Sequence, residues 1–113
     1  MRVSLEKKGD VAVMKLRGAF FGDGETKELE NSLRQLQTSD NKKLIIDLGA
    51  VSRINSISMG MLVAAHTNYV KRGGRIILVN LEKQLEDLFT ITKLTLLFEI
   101  ATSYEQALAE LIA

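Results

Sequence analysis

The sequence predicts an α/β protein with a mixed β-sheet and the element order β-β-α-β-α-β-α-β-α. Gly9-Asp10, between two segments of alternating polarity, is typical of a β-hairpin turn. Two short runs rich in β-branched residues, 43–49 and 75–80, are typical of strands buried on both faces. Segments with apolar residues at helical spacing lie between the strands. This alternation favours parallel strand pairs joined by helices.

In the first half, the hairpin strands are expected to begin at Val3 and to cover residues 11–18. A helix is predicted over residues 25–37, because leucines recur there at helical spacing, at Leu29, Leu33 and Leu36. Residues 38–43 form the polar turn that ends it. The strand 43–49 follows, and residues 49–56 are expected to be a loop.

In the second half, a helix is predicted over residues 57–71, because Gly73-Gly74 provides a C-terminal stop. The strand at 75–80 is followed by a helix over 82–92, with Asn80 as its expected cap. A last strand is predicted at 96–100. Ser103 and Gln106 fit a capping box that opens the final helix.

Size and composition limit the possible functions. The chain has 113 residues, so one domain over residues 1–113 is expected. Fifteen basic and 14 acidic residues give a net charge of +1, which argues against nucleic acid or an anionic membrane as the main partner. There is no cysteine. No apolar run approaches the roughly 20 residues of a membrane span, and the N-terminus lacks a signal-peptide pattern. We therefore expect a cytoplasmic protein without membrane insertion.

Templates for catalysis and for cofactors are not matched. No GxxxxGKS/T phosphate loop occurs, and the single histidine, His66, cannot form the usual histidine-based metal cluster. Helical spacing places His66 among apolar residues on the predicted core side, so a buried histidine with one hydrogen bond is expected; these neighbours are Met59, Leu62, Val63 and Val70. Asp47 lies at the C-terminal edge of a predicted strand, and a structural or loop-fixing role is expected for it. No catalytic residue, metal or cofactor is predicted.

Two hydroxyl residues, Ser56 and Ser58, lie at the start of the 57–71 helix. Serine is among the best N-caps, so Ser56 is explained by capping alone. A phosphoryl group there would also be favourable, because it would lie beside unpaired backbone N–H groups at the positive end of the helix dipole. The residues leave both interpretations open.

A second side of the same helix is suited to partner binding. Ile57, Met61, Ala64 and Asn68 recur at helical spacing and project away from the predicted core side. An exposed stripe of this kind beside two serines is typical of a docking surface. Scattered exposed apolar residues are also common in proteins without partners.

Five segments in this order and spacing resemble the STAS domain, and within it the bacterial anti-sigma-factor antagonists. The segments are LRGAF at 16–20, KLIIDLGAVSRINS at 43–56, GGRIILVN at 73–80, ITKLTLLFEI at 91–100 and SYEQALAEL at 103–111. The resemblance implies a mixed sheet with helices packed on one side. It also implies a binding protein that is a kinase substrate and not an enzyme.

The resemblance implies a partner-switching role. Unphosphorylated antagonists in this family bind an anti-sigma factor that is also a serine kinase, and this releases the sigma factor for transcription. The kinase phosphorylates the antagonist, which then dissociates, and a separate serine phosphatase restores it.

The phosphorylation motif of the family, DSSGLG or DSTGLG, is altered in this chain. The matching residues are Asn55-Ser56-Ile57-Ser58-Met59-Gly60, so asparagine replaces the aspartate and Ile57 occupies the usual acceptor position. The expected acceptor is therefore Ser56 or Ser58, with Ser56 preferred, and a third possibility is that neither is phosphorylated. The expected partner-binding residues are Asn55, Ile57, Met61, Ala64 and Asn68.

Two other functions are consistent with the sequence. The altered motif favours a STAS interaction module that is never phosphorylated, such as a scaffold or an accessory subunit of a transporter. A small enzyme or nucleotide-binding domain would use Asp47 and the loop at 49–56, and it ranks below the others because the chain lacks a phosphate loop and a catalytic set.

Overall fold

Five strands form one mixed sheet in the order β1-β2-β3-β4-β5. The computed structural model describes residues 2–112, and for Asp23 the backbone alone. The strands are β1 Val3–Lys8, β2 Val11–Phe20, β3 Lys43–Ile54, β4 Arg75–Val79 and β5 Glu99–Ala101. The helices are α1 Asp23–Gln37, α2 Ser56–Lys71, α3 Lys83–Ile91 and α4 Tyr104–Ile112, with a 3-10 turn at Leu94–Leu96. Within the described residues, no helix is both long and apolar enough to cross a membrane.

α2 begins at the edge of the sheet where the parallel strands end. β1 and β2 are antiparallel and joined by a turn in which Gly9 has a φ of 65°. β2, β3, β4 and β5 are parallel neighbours, so their carboxyl ends meet at one edge of the sheet. The predicted hairpin, mixed sheet and element order are confirmed. α2 begins at this edge, immediately after β3.

Both faces of the sheet are covered, because alternate residues of each buried strand point in opposite directions. On one face, α1, α2 and α3 pack on the strands through residues that include Leu29, Leu33, Leu62, Ala65, Leu85 and Phe89. On the other face, Ala107 and Leu111 of α4 pack against Val13, Ile45 and Ile77. The expectation of helices on one side is therefore correct for α1 to α3 and wrong for α4. The reason is that apolar residues such as Ile45 and Ile77 point to this second face, and α4 buries them.

β3 is longer than the sequence indicates, since it continues to Ile54 where a loop was expected. Beyond Asp47 it pairs with β2 alone, through Arg17–Phe20, and two register shifts occur in this region. Val51 and Ile54 thereby reach the core. The strand predicted at 96–100 is wrong at its start: Leu96 belongs to the 3-10 turn, Leu97 and Phe98 form a turn and a bend, and β5 covers only Glu99–Ala101.

The C-terminal end of α2 is anchored by a polar network. The Tyr69 side chain is fully buried, and its hydroxyl donates a hydrogen bond to Asn41 Oδ1 at 2.6 Å. The Asn41 amide donates to the carbonyls of Asp10 and Lys43, and Arg72 Nη1 donates to the Asn41 carbonyl at 2.9 Å. Burial raises the pKa of the Tyr69 phenol, so the hydroxyl stays protonated and remains a donor. This network ties α2 to the amino end of β3.

The substitution Tyr69→Phe should destabilise the protein by about 1–2 kcal/mol, because it leaves the buried Asn41 Oδ1 without its donor. Urea unfolding of the variant and the wild type would measure the difference. Tyr104→Phe is the matched control, since Tyr104 is half-buried and its hydroxyl makes no hydrogen bond with the described residues. Equal stability of Tyr69→Phe and the wild type would show that the network does not anchor α2.

Candidate functional site

The junction of β3 and α2 is organised by Asn55. Its backbone N–H donates to the Phe20 carbonyl at 3.0 Å, and its side-chain amide donates to the Phe21 carbonyl at 3.2 Å. Its Oδ1 accepts a hydrogen bond from the Ser58 backbone N–H at 2.8 Å. Asn55 is therefore the N-cap of α2 and also connects this helix to the segment after β2.

The cap assignment explains why asparagine suits this position. A carboxylate could accept from the Ser58 N–H in the same way, but it has no hydrogen to donate to the Phe21 carbonyl. Of the two interpretations of Ser56 that the sequence leaves open, capping is therefore wrong. Ser56 is the first residue of α2, its side chain is exposed, and its hydroxyl has no hydrogen-bond partner among the described residues.

Ser58 has the opposite environment. It is 0% exposed, and its Oγ is buried without a hydrogen-bond partner in the described part of the chain. It lies on the core side of α2, in line with Leu62, Ala65 and Tyr69. The two serines of the motif therefore differ in access: Ser56 faces the surface and Ser58 faces the core.

The predicted partner-binding stripe is largely accessible. Ile57 is 63% exposed, Ala64 is exposed, and Met61 is half-buried. Met61 and Ala64 line a shallow groove of about 200 Å³ against Leu33 and Arg34 of α1. The structure thus continues the stripe onto α1, a continuation that the helical spacing of α2 alone does not reveal.

Two of the predicted binding residues have structural roles as well. Asn55 is half-buried and forms the cap. Asn68 is half-buried, and its Oδ1 accepts a hydrogen bond from Arg72 Nε at 2.9 Å. The structure places Asn55, Ser56 and Ile57 together at the first turn of α2, whereas Asn68 lies near the other end of the helix.

An exposed cation–aromatic contact, which no motif in the sequence indicates, lies beside the junction. The Arg53 guanidinium carbon lies 4.3 Å from the centre of the Phe21 ring, and Phe21 is 50% exposed. Both residues line a groove of about 470 Å³ whose apolar wall includes Ile54, Leu85 and Leu88. The consecutive phenylalanines 20 and 21 could have indicated an exposed aromatic ring. Phe20 is buried at the end of β2, and Phe21, the next residue, is exposed.

The residues considered for catalysis have other roles. Asp47 Oδ1 accepts hydrogen bonds from the Gly49 N–H at 2.9 Å and from the Asn80 amide at 3.2 Å, so its role is structural: it connects β3 to the residue after β4, and the loop expected after Asp47 is part of β3. Asn80 was expected to cap α3, but Glu82 precedes that helix. Asn80 instead adopts a left-handed conformation, with a φ of 61°.

The placement of His66 differs in part from the expectation. The residue is half-buried and its ring packs edge-on against Phe98, with 5.4 Å between ring centres. Its Nδ1 is buried without a hydrogen-bond partner among the described residues. Val70, expected on the core side, is 55% exposed, because the buried side of α2 runs through Leu62 and Tyr69.

The substitution Asn55→Ala should destabilise the protein by about 1–2 kcal/mol, because α2 loses its cap and the Phe21 carbonyl loses a donor. Asn55→Asp should cost less at neutral pH, since the carboxylate keeps the cap. Chemical denaturation would measure both. Asn31→Ala, an exposed position within α1, is the control and should be close to neutral. A neutral Asn55→Ala variant would contradict the role given to this side chain.

Comparisons with known proteins identify the family of this chain. An anti-sigma factor antagonist from Mycobacterium paratuberculosis matches with a TM-score of 0.87 and 21% identity, covering 98% of this chain and 93% of that chain. The unphosphorylated form of the anti-sigma factor antagonist SpoIIAA matches with a TM-score of 0.75 and 14% identity, covering 96% and 94%. The phosphorylated form of SpoIIAA, a Bacillus cell fate determinant, also matches with a TM-score of 0.75, at 17% identity, covering 96% and 97%. These likenesses show the shared fold. The STAS domain family matches residues 2–107, and the chain therefore belongs to the STAS domain family.

Proposed function

We propose that this protein is an anti-sigma-factor antagonist that binds a kinase-type anti-sigma factor and is released when Ser56 is phosphorylated. The observation that carries this proposal is the Ser56 hydroxyl at the head of the stripe that contains Ile57 and Met61, since it is exposed and has no hydrogen-bond partner within the described residues. Membership of the STAS family supports it. The solved structures of SpoIIAA in unphosphorylated and phosphorylated forms support it by showing that a protein of this fold exists in both states.

The partner-binding surface is proposed to comprise Asn55, Ile57, Met61, Ala64 and Asn68. Ile57 would be its main apolar contact at the first turn of α2, because its side chain is 63% exposed and it directly follows Ser56 in the sequence. Isoleucine has no oxygen to phosphorylate, so at the family's usual acceptor position it would serve as an apolar contact. Burying it in an interface would remove apolar surface from water.

Phosphorylation of Ser56 would end this contact. The kinase would transfer the γ-phosphoryl group of ATP to Ser56 Oγ: the new O–P bond forms, the bond to ADP breaks, and the hydroxyl proton passes to a base of the kinase. The resulting phosphate, with a charge near −2, would lie beside the backbone N–H groups of the first turn, where α2 tolerates it. The same charge next to Ile57 would oppose an apolar interface because binding would require its desolvation.

Ser58 is a poorer acceptor than Ser56. Its buried Oγ could reach a kinase active site only if the first turn of α2 opened and the cap from Asn55 broke. The proposal has three further parts. A separate serine phosphatase restores the antagonist, the protein acts in the cytoplasm, and the chain itself catalyses no reaction.

A second candidate function is a STAS interaction module that is never phosphorylated. The isoleucine at position 57 favours it, because this residue removes the family's usual acceptor. In that case the stripe would be a permanent contact surface of a scaffold or of a transporter's accessory subunit.

Phosphopeptide mass spectrometry on the protein from its own cells, growing and stressed, should detect phosphate on Ser56 in amounts that differ between the two conditions. Cleavage by trypsin after Arg53 and Lys71 leaves Ser56, Ser58 and Thr67 on one peptide, and fragmentation separates them. Phosphate on Ser58 alone would contradict the choice of acceptor. Complete absence of phosphate in every condition would favour the permanent interaction module.

The substitution Met61→Lys should weaken binding of the purified cognate anti-sigma factor by at least about 30-fold, since it places a charge in the proposed apolar contact. Isothermal calorimetry would measure the affinity, and thermal unfolding would verify the fold. The matched control is Val70→Lys, which changes an exposed apolar residue on the opposite side of α2 and should bind normally. Normal binding by Met61→Lys would exclude this surface.

A further inference from the structure

The Arg53–Phe21 contact lies at the edge of the proposed partner surface and has an unusual feature. The Arg53 guanidinium makes no hydrogen bond and no ion pair with any described residue, and its one contact with a charged or aromatic group is with the Phe21 ring at 4.3 Å. Both side chains are exposed. Cation–aromatic contacts at exposed sites are weak, and a guanidinium pairs much more strongly with a phosphate, which it can bind through two parallel N–H groups.

Arg53 lies three positions before Ser56 in the sequence. Arg53 is the penultimate residue of β3, Asn55 follows the strand, and Ser56 opens α2. Asn55 in turn holds the Phe21 carbonyl at 3.2 Å from its side-chain amide. The Phe21 ring, the Arg53 side chain and the Ser56 hydroxyl are therefore attached to one hydrogen-bonded junction, and the long arginine side chain is free to change partner.

We propose that Arg53 is the internal receptor of the Ser56 phosphate: on phosphorylation its guanidinium leaves the Phe21 ring and pairs with the phosphate. This inference rests on the proposed function, because it concerns how the same site is regulated. Its consequence is that phosphorylation changes the surface in two places. A phosphate–arginine pair forms beside Ile57, and the Phe21 ring loses its cover and opens the groove formed with Ile54 and Leu88.

The neighbouring cation of that groove does not have the same role. Lys83 lines the groove, but its ammonium already pairs with Asp87 within α3 at 3.1 Å. Arg53 has no such carboxylate partner among the described residues. The two cations therefore offer a matched comparison between a free charge and a paired charge.

The test uses the full chain with phosphoserine incorporated at position 56 by genetic encoding. Phosphorus NMR during a pH titration would measure the second acid dissociation constant of the phosphate. This constant should be about three-fold larger in the wild type than in Arg53→Gln, because the guanidinium favours the dianion. The proton resonances of the Phe21 ring should also shift on phosphorylation in the wild type, and not in Arg53→Gln. Lys83→Gln should behave as the wild type in both measurements.

Two results would overturn the inference: the same phosphate titration in Arg53→Gln as in the wild type, or Phe21 resonances that do not respond to the phosphate. Thermal unfolding verifies that Arg53→Gln is folded, as expected for an exposed side chain. Because the phosphate is installed during synthesis, this test does not depend on any kinase. A failure to find phosphorylated Ser56 in cells would remove the proposed function and leave the result on Arg53 intact.

Discussion

The hydrogen bonds of the Asn55 side chain determine the geometry of the site. By accepting from the Ser58 N–H and donating to the Phe21 carbonyl, this one amide sets where α2 begins and where the segment after β2 lies. Successive residues of a helix are rotated by about 100°. Once the first turn starts at Ser56, Ser58 must point into the core, and Ser56 and Ile57 must point to the surface. The exposed hydroxyl and the exposed apolar side chain are thus both consequences of the cap.

α2 is held at its other end by a different kind of contact. Tyr69, Asn41 and Arg72 form a network near the amino end of β3, opposite the edge where Asn55 lies. Between the two polar anchors, Leu62 and Ala65 bury the helix against the sheet. A helix fixed at both ends and along its middle cannot easily rotate. A phosphate at its first turn would therefore act by changing the local surface, through its charge and through the side chains that can reach it.

Most of the fold could be predicted from local patterns, because the hairpin turn, the helical leucines of α1 and the β-branched runs of β3 and β4 each depend on a few adjacent residues. Two features could not. Residues 49–54 of β3 include glycine, serine and arginine, and they form a strand because β2 offers them backbone partners after two register shifts. The apolar residues of α4 indicate that one side of this helix is buried. They do not indicate which face of the sheet covers it, because that choice depends on the length and path of the connection.

At the site, the sequence by itself determined which side chains are available: hydroxyls at positions 56 and 58, isoleucine between them, and an asparagine before them. It also determined the family, through the order and spacing of five segments. Only the tertiary structure decided which serine is accessible, because the capping residue sets the rotation of α2 and a single-residue error rotates every side chain by about 100°. The contact between Arg53 and Phe21 was likewise decided by tertiary structure. These residues are 32 positions apart in sequence, numbers 53 and 21, and they meet because β2 and β3 are neighbours in the sheet.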